Sequence, residues 1–210
     1  MPNLTPDELL TTTRAVRKRL DFDRPVPRAL IEECIAIAMQ APTASNSQPW
    51  EFVVVEDPQL KAGVAEWYLK SYDAYADARY AANGGELDPQ TERMASSARY
   101  LADRMHEVPA MVIPCVHGRL EERSVDGQAA GWGSIVQAGW SFCLAARARG
   151  LGTCWTTLHL TYEREVADLL GIDHSAVTQS CLLPVGFFTG DTFKPAPRDD
   201  IAERIHWDRW

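Results

Sequence analysis

The chain has 210 residues and a mass of 23.4 kDa, a length that favours one compact domain. Hydrophobic residues make up 46% and charged residues 24%, which is typical of a soluble globular protein and excludes a largely disordered one. Acidic residues outnumber basic ones by 29 to 21, so the net charge is −8 and a nucleic-acid partner, which needs a basic surface, is not expected.

Two further properties of the sequence concern its compartment. The N-terminal stretch lacks the apolar core of a secretory signal, and no run approaches the roughly 18 apolar residues of a membrane span. We therefore expect a cytoplasmic protein with no membrane partner. The five cysteines include no C-x-x-C pair, which argues against a zinc ribbon or a thioredoxin-type site, and we expect them to be buried, reduced thiols. They are Cys34, Cys115, Cys143, Cys154 and Cys181.

The first quarter of the chain is predicted to hold two helices and a strand. Thr5 as N-cap and Glu8 three residues later form a capping box, and the helix that they begin is expected to run to about Arg17. After a Pro-Val-Pro break, apolar residues recur at helical spacing until about Gln40. A polar loop then leads into a β-branched strand over residues 51–55.

The remainder of the chain is predicted to alternate helices with strands. Gly171 is expected to end a short helix, because glycine takes a positive φ without steric cost. No repeat or linker divides the sequence, so we predict a single α+β domain over residues 1–210. The expected elements are a helical excursion at about 61–105 that could form a lid, a strand at 110–116, a long helix at 131–149, a strand at 152–157, a short helix at 162–170 and a strand at 181–188.

Several common catalytic motifs are missing from the sequence. Two G-x-G triplets occur, but neither completes a G-x-G-x-x-G between a strand and a helix, and there is no Walker A sequence. None of the five histidines lies in H-E-x-x-H, and no G-x-S-x-G elbow is present. We predict no metal site, so the function must depend on polar and cationic segments.

Four such segments are candidates for a binding site. Arg14 and Arg17 are three residues apart, and on a helix they would share a face that could close on one phosphate; a solvated basic helix end is the alternative. Residues 41–50 place hydrogen-bonding side chains between two prolines, which indicates either a shaped binding loop or a simple connector. Residues 150–158 include threonines and a tryptophan at the end of a strand, and residues 193–198 add a late cation.

Taken together and in this order, the four segments resemble the nitroreductase superfamily of FMN-dependent oxidoreductases. The family pattern has an R-S-x-R-like signature near the N-terminus, a P-S-S-x-N-x-Q-P-W loop, a G-L-G strand entry and a late arginine. In this sequence the matching residues are 14–17, 42–50, 150–152 and Arg198. The resemblance covers nearly the whole chain, from about residue 11 to Arg198.

The resemblance implies a central, mostly antiparallel sheet flanked by helices, in a homodimer with two FMN sites at the subunit interface. It implies that Arg14, Arg17 and Arg198 hold the FMN phosphate, that the loop reaches the flavin of the other subunit, and that the strand end lies near flavin N5 and O4. Thr157 is the expected N5 partner. The cofactor-binding residues that it implies are Arg14, Ala15, Val16, Arg17, Pro42, Thr43, Ala44, Asn46, Gln48, Trp155, Thr156, Thr157, Leu158 and Arg198.

The sequence departs from the family pattern at three places. Ala15 replaces the usual serine, which removes a hydrogen bond worth about 1 kcal/mol. Thr43 and Ala44 replace the two serines of the loop, and Leu20 stands near the usual aromatic residue. These changes remove hydroxyl groups but no charges, so FMN binding is still expected.

The resemblance also implies a reaction. NADH or NADPH would deliver hydride to the flavin, leave, and be followed by a small aromatic acceptor, a nitroaromatic or a quinone, in a ping-pong cycle. A cation near flavin N1 and O2 would stabilise the reduced flavin, and Arg104 is the candidate catalytic residue for this role besides Thr157; a surface salt bridge is the alternative for Arg104. Aromatic residues of the excursion could stack on the acceptor or pack within their own helices: Trp67, Tyr68, Tyr72, Tyr75 and Tyr80.

Three other functions remain open from the sequence. An FMN enzyme of this superfamily could dehalogenate aromatic rings reductively or reduce activated double bonds. A flavoprotein without useful turnover would store or sense FMN, and an interaction module would be colourless. Trp207 and Trp210 close the chain, and a segment so apolar is expected to dock on its own domain or on a second subunit.

Overall fold

The computed structural model describes residues 3–210, which form six α-helices and five β-strands. The predicted α+β class is confirmed. No helix in this range is both long enough and apolar enough to cross a bilayer. The helices are α1 (Pro6–Thr12), α2 (Arg28–Ala38), α3 (Pro58–Ala82), α4 (Pro89–Asp103), α5 (Val125–Ala148) and α6 (Glu163–Leu170), and the strands are β1 (Trp50–Val55), β2 (Ala110–His117), β3 (Leu151–Thr153), β4 (Val177–Gln179) and β5 (Leu183–Phe187).

Strand β2 is the centre of the sheet, which has the order β1-β2-β5-β3. Strand β1 pairs with it along the whole length of β1, which places Trp50 opposite Val116. The other edge of β2 pairs with β5 at one end and with β4 at the other, and β3 pairs with β5. All of these pairs are antiparallel, so the predicted sheet type is confirmed.

Helices cover both faces of the sheet, because alternate residues of a strand point to opposite faces. Met111 and Ile113 of β2 pack in the cluster that includes α3, α4 and α6. Ala110 and Val112 pack instead with α2 and α5, where Phe142 is fully buried. The strand is buried on both sides, which explains its continuous apolar run.

Helix α1 begins as predicted and ends earlier than predicted. Thr5 accepts from the Glu8 N–H and Glu8 accepts from the Thr5 N–H, so the capping box is confirmed. The helix stops at Thr12 rather than near Arg17. Its last residues are threonines whose hydroxyls donate to carbonyls four residues back, and β-branched residues of this kind have low helix propensity.

After α1 the chain runs extended along the edge of the sheet over residues 13–17, which we call the edge segment. Ala15 forms a parallel bridge with Thr153, and the Val16 N–H donates to the Thr153 carbonyl at 2.8 Å. The prediction that Arg14 and Arg17 share a helix face was therefore wrong. Strand alternation, not helical spacing, decides where their side chains point.

Three other boundaries differ from the predictions. The strand expected at 152–157 is paired only to Thr153, after which Thr156 rejoins the sheet through a bridge to Leu182. Strand β4 was not predicted, because three residues are too few to show an alternating pattern. Helix α5 begins six residues before the predicted position 131. The end of α6 at Gly171, with φ +71°, is as predicted.

The excursion is a pair of long helices, α3 and α4, as its composition predicted. The turn between them includes Gly84 and Gly85, which both have positive φ. The C-terminal segment from residue 191 has one short helical turn, and its side chains are almost all exposed. Trp207 is 84% and Trp210 102% exposed, so the tail does not dock on its own domain.

Candidate active site

A cavity of about 530 Å³ lies between the excursion and the sheet. This volume is in the range of ligand sites, roughly 300–1,000 Å³. One wall is formed by α3 and α4 and is rich in tyrosine, and the other is formed by Arg17 and residues 154–158. The structure thus brings the segment that contains Arg17 and the segment at 150–158 to one cavity.

The residues after β3 reach the cavity because the chain returns to the sheet there. The Thr156 N–H donates to the Leu182 carbonyl at 3.1 Å, and the Leu182 N–H donates back at 2.8 Å. The Thr156 hydroxyl contacts the Tyr68 hydroxyl at 3.2 Å, which ties α3 to this segment. Thr157 and Leu158 then line the cavity where a short helical turn begins.

Thr157 offers a free backbone donor. Its side chain is exposed, and within residues 3–210 no backbone or side-chain oxygen accepts from its N–H. An unpaired N–H on a cavity wall can donate to the edge of a flat polar ligand. Trp155 also lines the cavity, but its ring packs on α5 at Gly139, where an added Cβ would lie 2.9 Å from the indole.

The two buried tyrosines of this wall, Tyr68 and Tyr72, are uncharged at neutral pH. Burial raises the pKa of Tyr68 to about 12, and burial also raises the pKa of Tyr72. The Tyr72 hydroxyl donates to the Ala95 carbonyl at 3.2 Å, which fixes α3 against α4. These phenols therefore present aromatic surface and neutral hydrogen-bonding groups to a ligand.

Arg17 is the cation that the edge segment places in the cavity. Val16 points into the core and packs against Gly152, where an added Cβ would lie 2.9 Å from the Val16 Cβ. Because neighbours on an extended chain point to opposite sides, Arg17 faces the cavity. It forms no salt bridge with another described residue, so its charge is available to an anionic ligand.

Arg14 and Ala15 lie beside the cavity wall rather than on it. One Arg14 nitrogen donates to the Lys194 carbonyl at 2.8 Å, which holds the chain after β5 next to the edge segment. Ala15 is exposed. Arg198 lies further along and is also exposed; among residues 3–210, its side chain donates only to the Pro197 carbonyl.

Arg104 is not brought to the cavity. Its Nε donates to Glu107 at 2.8 Å, and its guanidinium lies 4.4 Å from the centre of the Phe22 ring. The hydrogen bonds that Arg104 donates to the Glu107 carboxylate raise the pKa of Arg104. This is the surface salt bridge that the sequence left open as the alternative, and the geometry gives Arg104 no contact with the other predicted site residues.

The polar loop is strained and locally braced. Ser45, Asn46 and Gln48 all have φ between 47° and 53°, a left-handed conformation that side chains rarely adopt. Thr43 accepts from the Gln48 N–H at 3.1 Å, and Asn46 accepts from the Gln48 side chain at 3.3 Å. Strain held in this way costs about 1–3 kcal/mol per residue and is typical of binding loops.

The loop does not reach the cavity of its own chain. The Ala44 N–H donates to the Ser134 hydroxyl of α5 at 3.2 Å. Pro42 lies in a shallow groove with residues of α2 and α5, on another part of the surface. Within one chain, the loop at 41–50 is therefore separate from Arg17 and from residues 154–158.

Two charged residues of the cavity were missed by the sequence reasoning. Asp77 and Arg79 line it from α3, near Tyr75 and Tyr80. Tyr75 and Arg79 are four residues apart, so helical spacing from the aromatic residues could have placed Arg79 on the same face. Trp67, expected among the stacking residues, packs instead on Tyr162 with ring centres 4.9 Å apart.

Comparison with known proteins identifies the family. Residues 10–187 match the model of the Nitroreductase family. A protein of Archaeoglobus fulgidus, provisionally named an NADH dehydrogenase/NAD(P)H nitroreductase, is 25% identical over 206 residues, which are 97% of each chain. The 5,6-dimethylbenzimidazole synthase of Rhodospirillum rubrum is 29% identical over 143 residues, 64% of this chain and 61% of its own.

Solved structures show the same fold. Oxidized iodotyrosine deiodinase bound to FMN and 3-iodo-L-tyrosine superposes with a TM-score of 0.73 at 20% identity, over 97% of this chain and 99% of its own. The FMN and NADPH-dependent nitroreductase NfnB from Sphigopyxis sp. strain HMH superposes with a TM-score of 0.70 at 23% identity, over 99% and 100%. With the family model spanning the sheet, the edge segment and the excursion, the chain belongs to the nitroreductase family.

Proposed function

We propose that the protein is an FMN-dependent NAD(P)H oxidoreductase that reduces nitroaromatic or quinone-type acceptors. The observation that carries the proposal is the cavity in which Arg17, an unpaired cation, faces a wall of neutral tyrosines beside the free N–H of Thr157. FMN, when bound, accepts hydride from a nicotinamide and passes two electrons to an acceptor.

The residues of the cavity fit this cofactor in shape and charge. A flat tricyclic ring needs apolar surface, which the tyrosine wall offers, and polar edges, which the Thr157 N–H can satisfy. An anionic group needs a cation without a carboxylate partner, and Arg17 is such a residue. We assign Thr157 and Arg17 as the residues that contact the cofactor ring.

Arg17 replaces Arg104 in the proposed electrostatic role. A fixed guanidinium stabilises negative charge that develops during reduction, because it is already oriented and does not need to reorganise. Arg104 is neutralised by Glu107, whereas Arg17 has no such partner among the described residues. Arg14, with its remaining donors, and Arg198 are proposed to hold the phosphate.

The excursion is proposed to cover the acceptor. Tyr68 and Tyr72 are buried and fixed by hydrogen bonds, so they can orient a flat ring without moving. Tyr75 and Tyr80 are about half exposed and lie nearer to solvent. The wall would exclude water from the site when an aromatic ring is bound.

A homodimer is part of the proposal, since the strained loop needs another chain to serve a cofactor. The outer faces of α2 and α5 expose large apolar side chains, which a second copy would cover. These side chains are Ile37 of α2 and Val136 and Trp140 of α5. The loop from 42 to 48 lies at the edge of this surface and would reach the cavity of the partner.

The experiment that tests the proposal is an anaerobic absorption spectrum of the purified protein, recorded before and after NADH and NADPH are added separately. A flavin spectrum that bleaches with one nucleotide supports the proposal and gives the donor. A flavin that does not bleach indicates storage or sensing, and a colourless protein that does not bind added FMN contradicts the proposal.

The acceptor is then tested by comparing turnover of a nitroaromatic or a quinone with turnover of a halophenol. Turnover of a nitroaromatic or a quinone supports the proposed reaction. Turnover of a halophenol without turnover of a nitroaromatic would assign the protein to reductive dehalogenation, an alternative consistent with its fold likeness to the deiodinase.

A further inference from the structure

The charged groups of the cavity wall on α3 differ from those elsewhere in the excursion. Arg99 of α4 pairs with Asp73 and Asp103, and its positive charge is neutralised. Arg79 lines the cavity and forms no salt bridge within residues 3–210. Its side chain has one hydrogen bond, from Nη1 to the Tyr75 hydroxyl at 2.9 Å.

This hydrogen bond holds the guanidinium without using its charge. The Tyr75 hydroxyl is a neutral acceptor, and it occupies one of the five N–H donors of the arginine. The Arg79 carbonyl accepts from the Asn83 side chain at 2.7 Å, which fixes the helix end that carries the residue. A positioned guanidinium with free donors is the group that binds carboxylates most specifically in proteins.

The surroundings of Arg79 favour an aromatic ligand. Tyr80 and Met94 line the same cavity with Leu87 and Ala98, so part of the cavity that holds the guanidinium is lined by apolar and aromatic side chains. Tyr80 and Met94 are about half exposed, and a bound ring that covers them would shield a charge pair at Arg79 from water and strengthen it. A ring with a carboxylate could contact this wall while its charge lies at Arg79.

Asp77 limits the charge that the site accepts. It lies on the same wall and pairs with no cation among the described residues, so it would repel a second negative group. Arg17 is on the opposite wall and is assigned to the cofactor. One cation is therefore left for the acceptor.

We propose that Arg79 selects acceptors that carry a single anionic group on an aromatic ring, such as a nitrobenzoate. This inference rests on the proposed function, because it names the acceptor of the same site. Arg79 acts as a specificity-determining residue and the Tyr75 hydroxyl orients its guanidinium.

The test uses the FMN-loaded, oxidised protein and two ligands that differ in charge, 4-nitrobenzoate and 4-nitrobenzyl alcohol. Their dissociation constants are measured by calorimetry without a reductant, so that binding is read apart from turnover. Arg79→Gln is expected to weaken 4-nitrobenzoate about tenfold and to change the neutral alcohol by less than about twofold. Tyr75→Phe is expected to give a smaller loss for the same ligand.

The matched control is Arg93→Gln. Arg93 is an exposed arginine of α4 that does not line the cavity, so its replacement removes the same charge from the same excursion. It is expected to change both dissociation constants by less than about twofold. An equal loss for both ligands in Arg79→Gln, or an equal loss of 4-nitrobenzoate in the two variants, overturns the inference.

Two further results separate this inference from others. If 4-nitrophenylalanine binds and Asp77→Asn weakens it as much as Arg79→Gln does, the site recognises both charges of an amino acid and the inference is overturned. Bleaching of the flavin by NAD(P)H is measured in each variant. Normal bleaching without charge discrimination overturns the inference alone, whereas a protein without flavin overturns the proposed function as well.

Discussion

At the scale of single residues, the site depends on which arginines have partners. Arg17 and Arg104 are both candidates for the cation beside the cofactor, but only Arg17 lines the cavity. Arg104 donates to Glu107 instead. The two residues can therefore be compared directly by experiment.

Replacing Arg17 is expected to slow flavin reduction. Arg17→Gln should lower the rate of hydride transfer from NAD(P)H about tenfold to a hundredfold and make the flavin harder to reduce, because a fixed positive charge is lost. Arg17→Lys keeps the positive charge, so it should lose less of the hydride-transfer rate and make the flavin less hard to reduce than Arg17→Gln does. Stopped-flow absorbance and a redox titration measure the two quantities. Arg104→Gln is the control, and a loss as large as that of Arg17→Gln would contradict the assignment.

A second residue links the site region to pH. His159 is fully buried, neither of its ring nitrogens has a hydrogen-bond partner in the described chain, and burial lowers its pKa to about 4. The unfolded chain therefore binds a proton more readily than the folded one as pH falls from 6.5 towards 4. The contribution of neutral His159 to the free energy of unfolding is therefore fully present above pH 6.5. It falls by about 3 kcal/mol as the pH drops from 6.5 to 4.

The variant His159→Phe should remove this loss, since phenylalanine cannot be protonated and its effect on packing is the same at every pH. Urea unfolding at a series of pH values between 4 and 7 measures the free energy of unfolding. His106→Gln is the control, because His106 is exposed. The same acid sensitivity in His159→Phe and in the unchanged protein would show that other groups cause it.

At the scale of elements, the contact between the edge segment and β3 positions Arg17. Gly152 lacks a Cβ, and this allows Val16 to lie directly against the strand. Gly152 belongs to the G-L-G motif on which the resemblance to the family rests. The close packing of Val16 explains why a residue without a Cβ is needed there.

Adding a methyl group at this contact should disturb the site. In Gly152→Ala the new Cβ would lie 2.9 Å from the Val16 Cβ, so the edge segment must move, at a cost of about 1–3 kcal/mol. FMN affinity should fall with stability, because Arg17 moves with Val16. Thermal unfolding and flavin titration measure both. Gly63→Ala is the control: its added Cβ would meet the Leu169 side chain between α3 and α6, so it can change stability but should leave FMN affinity unchanged.

The elements that could be predicted are those with a local signal. The capping box at Thr5 and the left-handed Gly171 mark helix ends by their own chemistry, and both predictions were confirmed. The threonines at the end of α1 are a local signal that the helix stops there, but the extended chain after them could not be predicted, because the Val16 N–H donates to the Thr153 carbonyl, far along the chain. Strand β4 depends in the same way on its pairing with β2.

The candidate site was predictable only in part. The resemblance to the nitroreductase superfamily implied a flavin site, and the structure brings Arg17 and Thr157 to one cavity. Sequence spacing could not show that Arg104 is paired with Glu107, since a charge three residues away on a helix can face solvent or a ligand. Nor could it show that Arg79 is unpaired.

At the scale of the whole molecule, the end of the C-terminal tail, which carries the two tryptophans, does not pack on its own domain. Trp207 and Trp210 are almost fully exposed, although two indoles are costly to leave in water. The second of the two predictions made from the sequence, docking on another subunit, therefore stays a prediction.

Replacing both tryptophans by alanine should weaken the proposed homodimer at least about tenfold, because buried tryptophans are often the strongest contributors to an interface. Sedimentation equilibrium over a range of protein concentrations measures the dissociation constant. Arg209→Ala, a change between the two indoles in the same exposed tail, is the control. A dimer of unchanged strength would show that the tail does not contribute to the interface.

The burial of all five cysteines has a practical consequence for these measurements. The thiols are unpaired and buried, and burial raises the pKa of each of them. A thiolate is the species that alkylating reagents attack, so the native protein should resist iodoacetamide while the unfolded chain takes up five labels. The mass of the labelled protein then counts unfolded molecules directly, without any optical signal from the flavin.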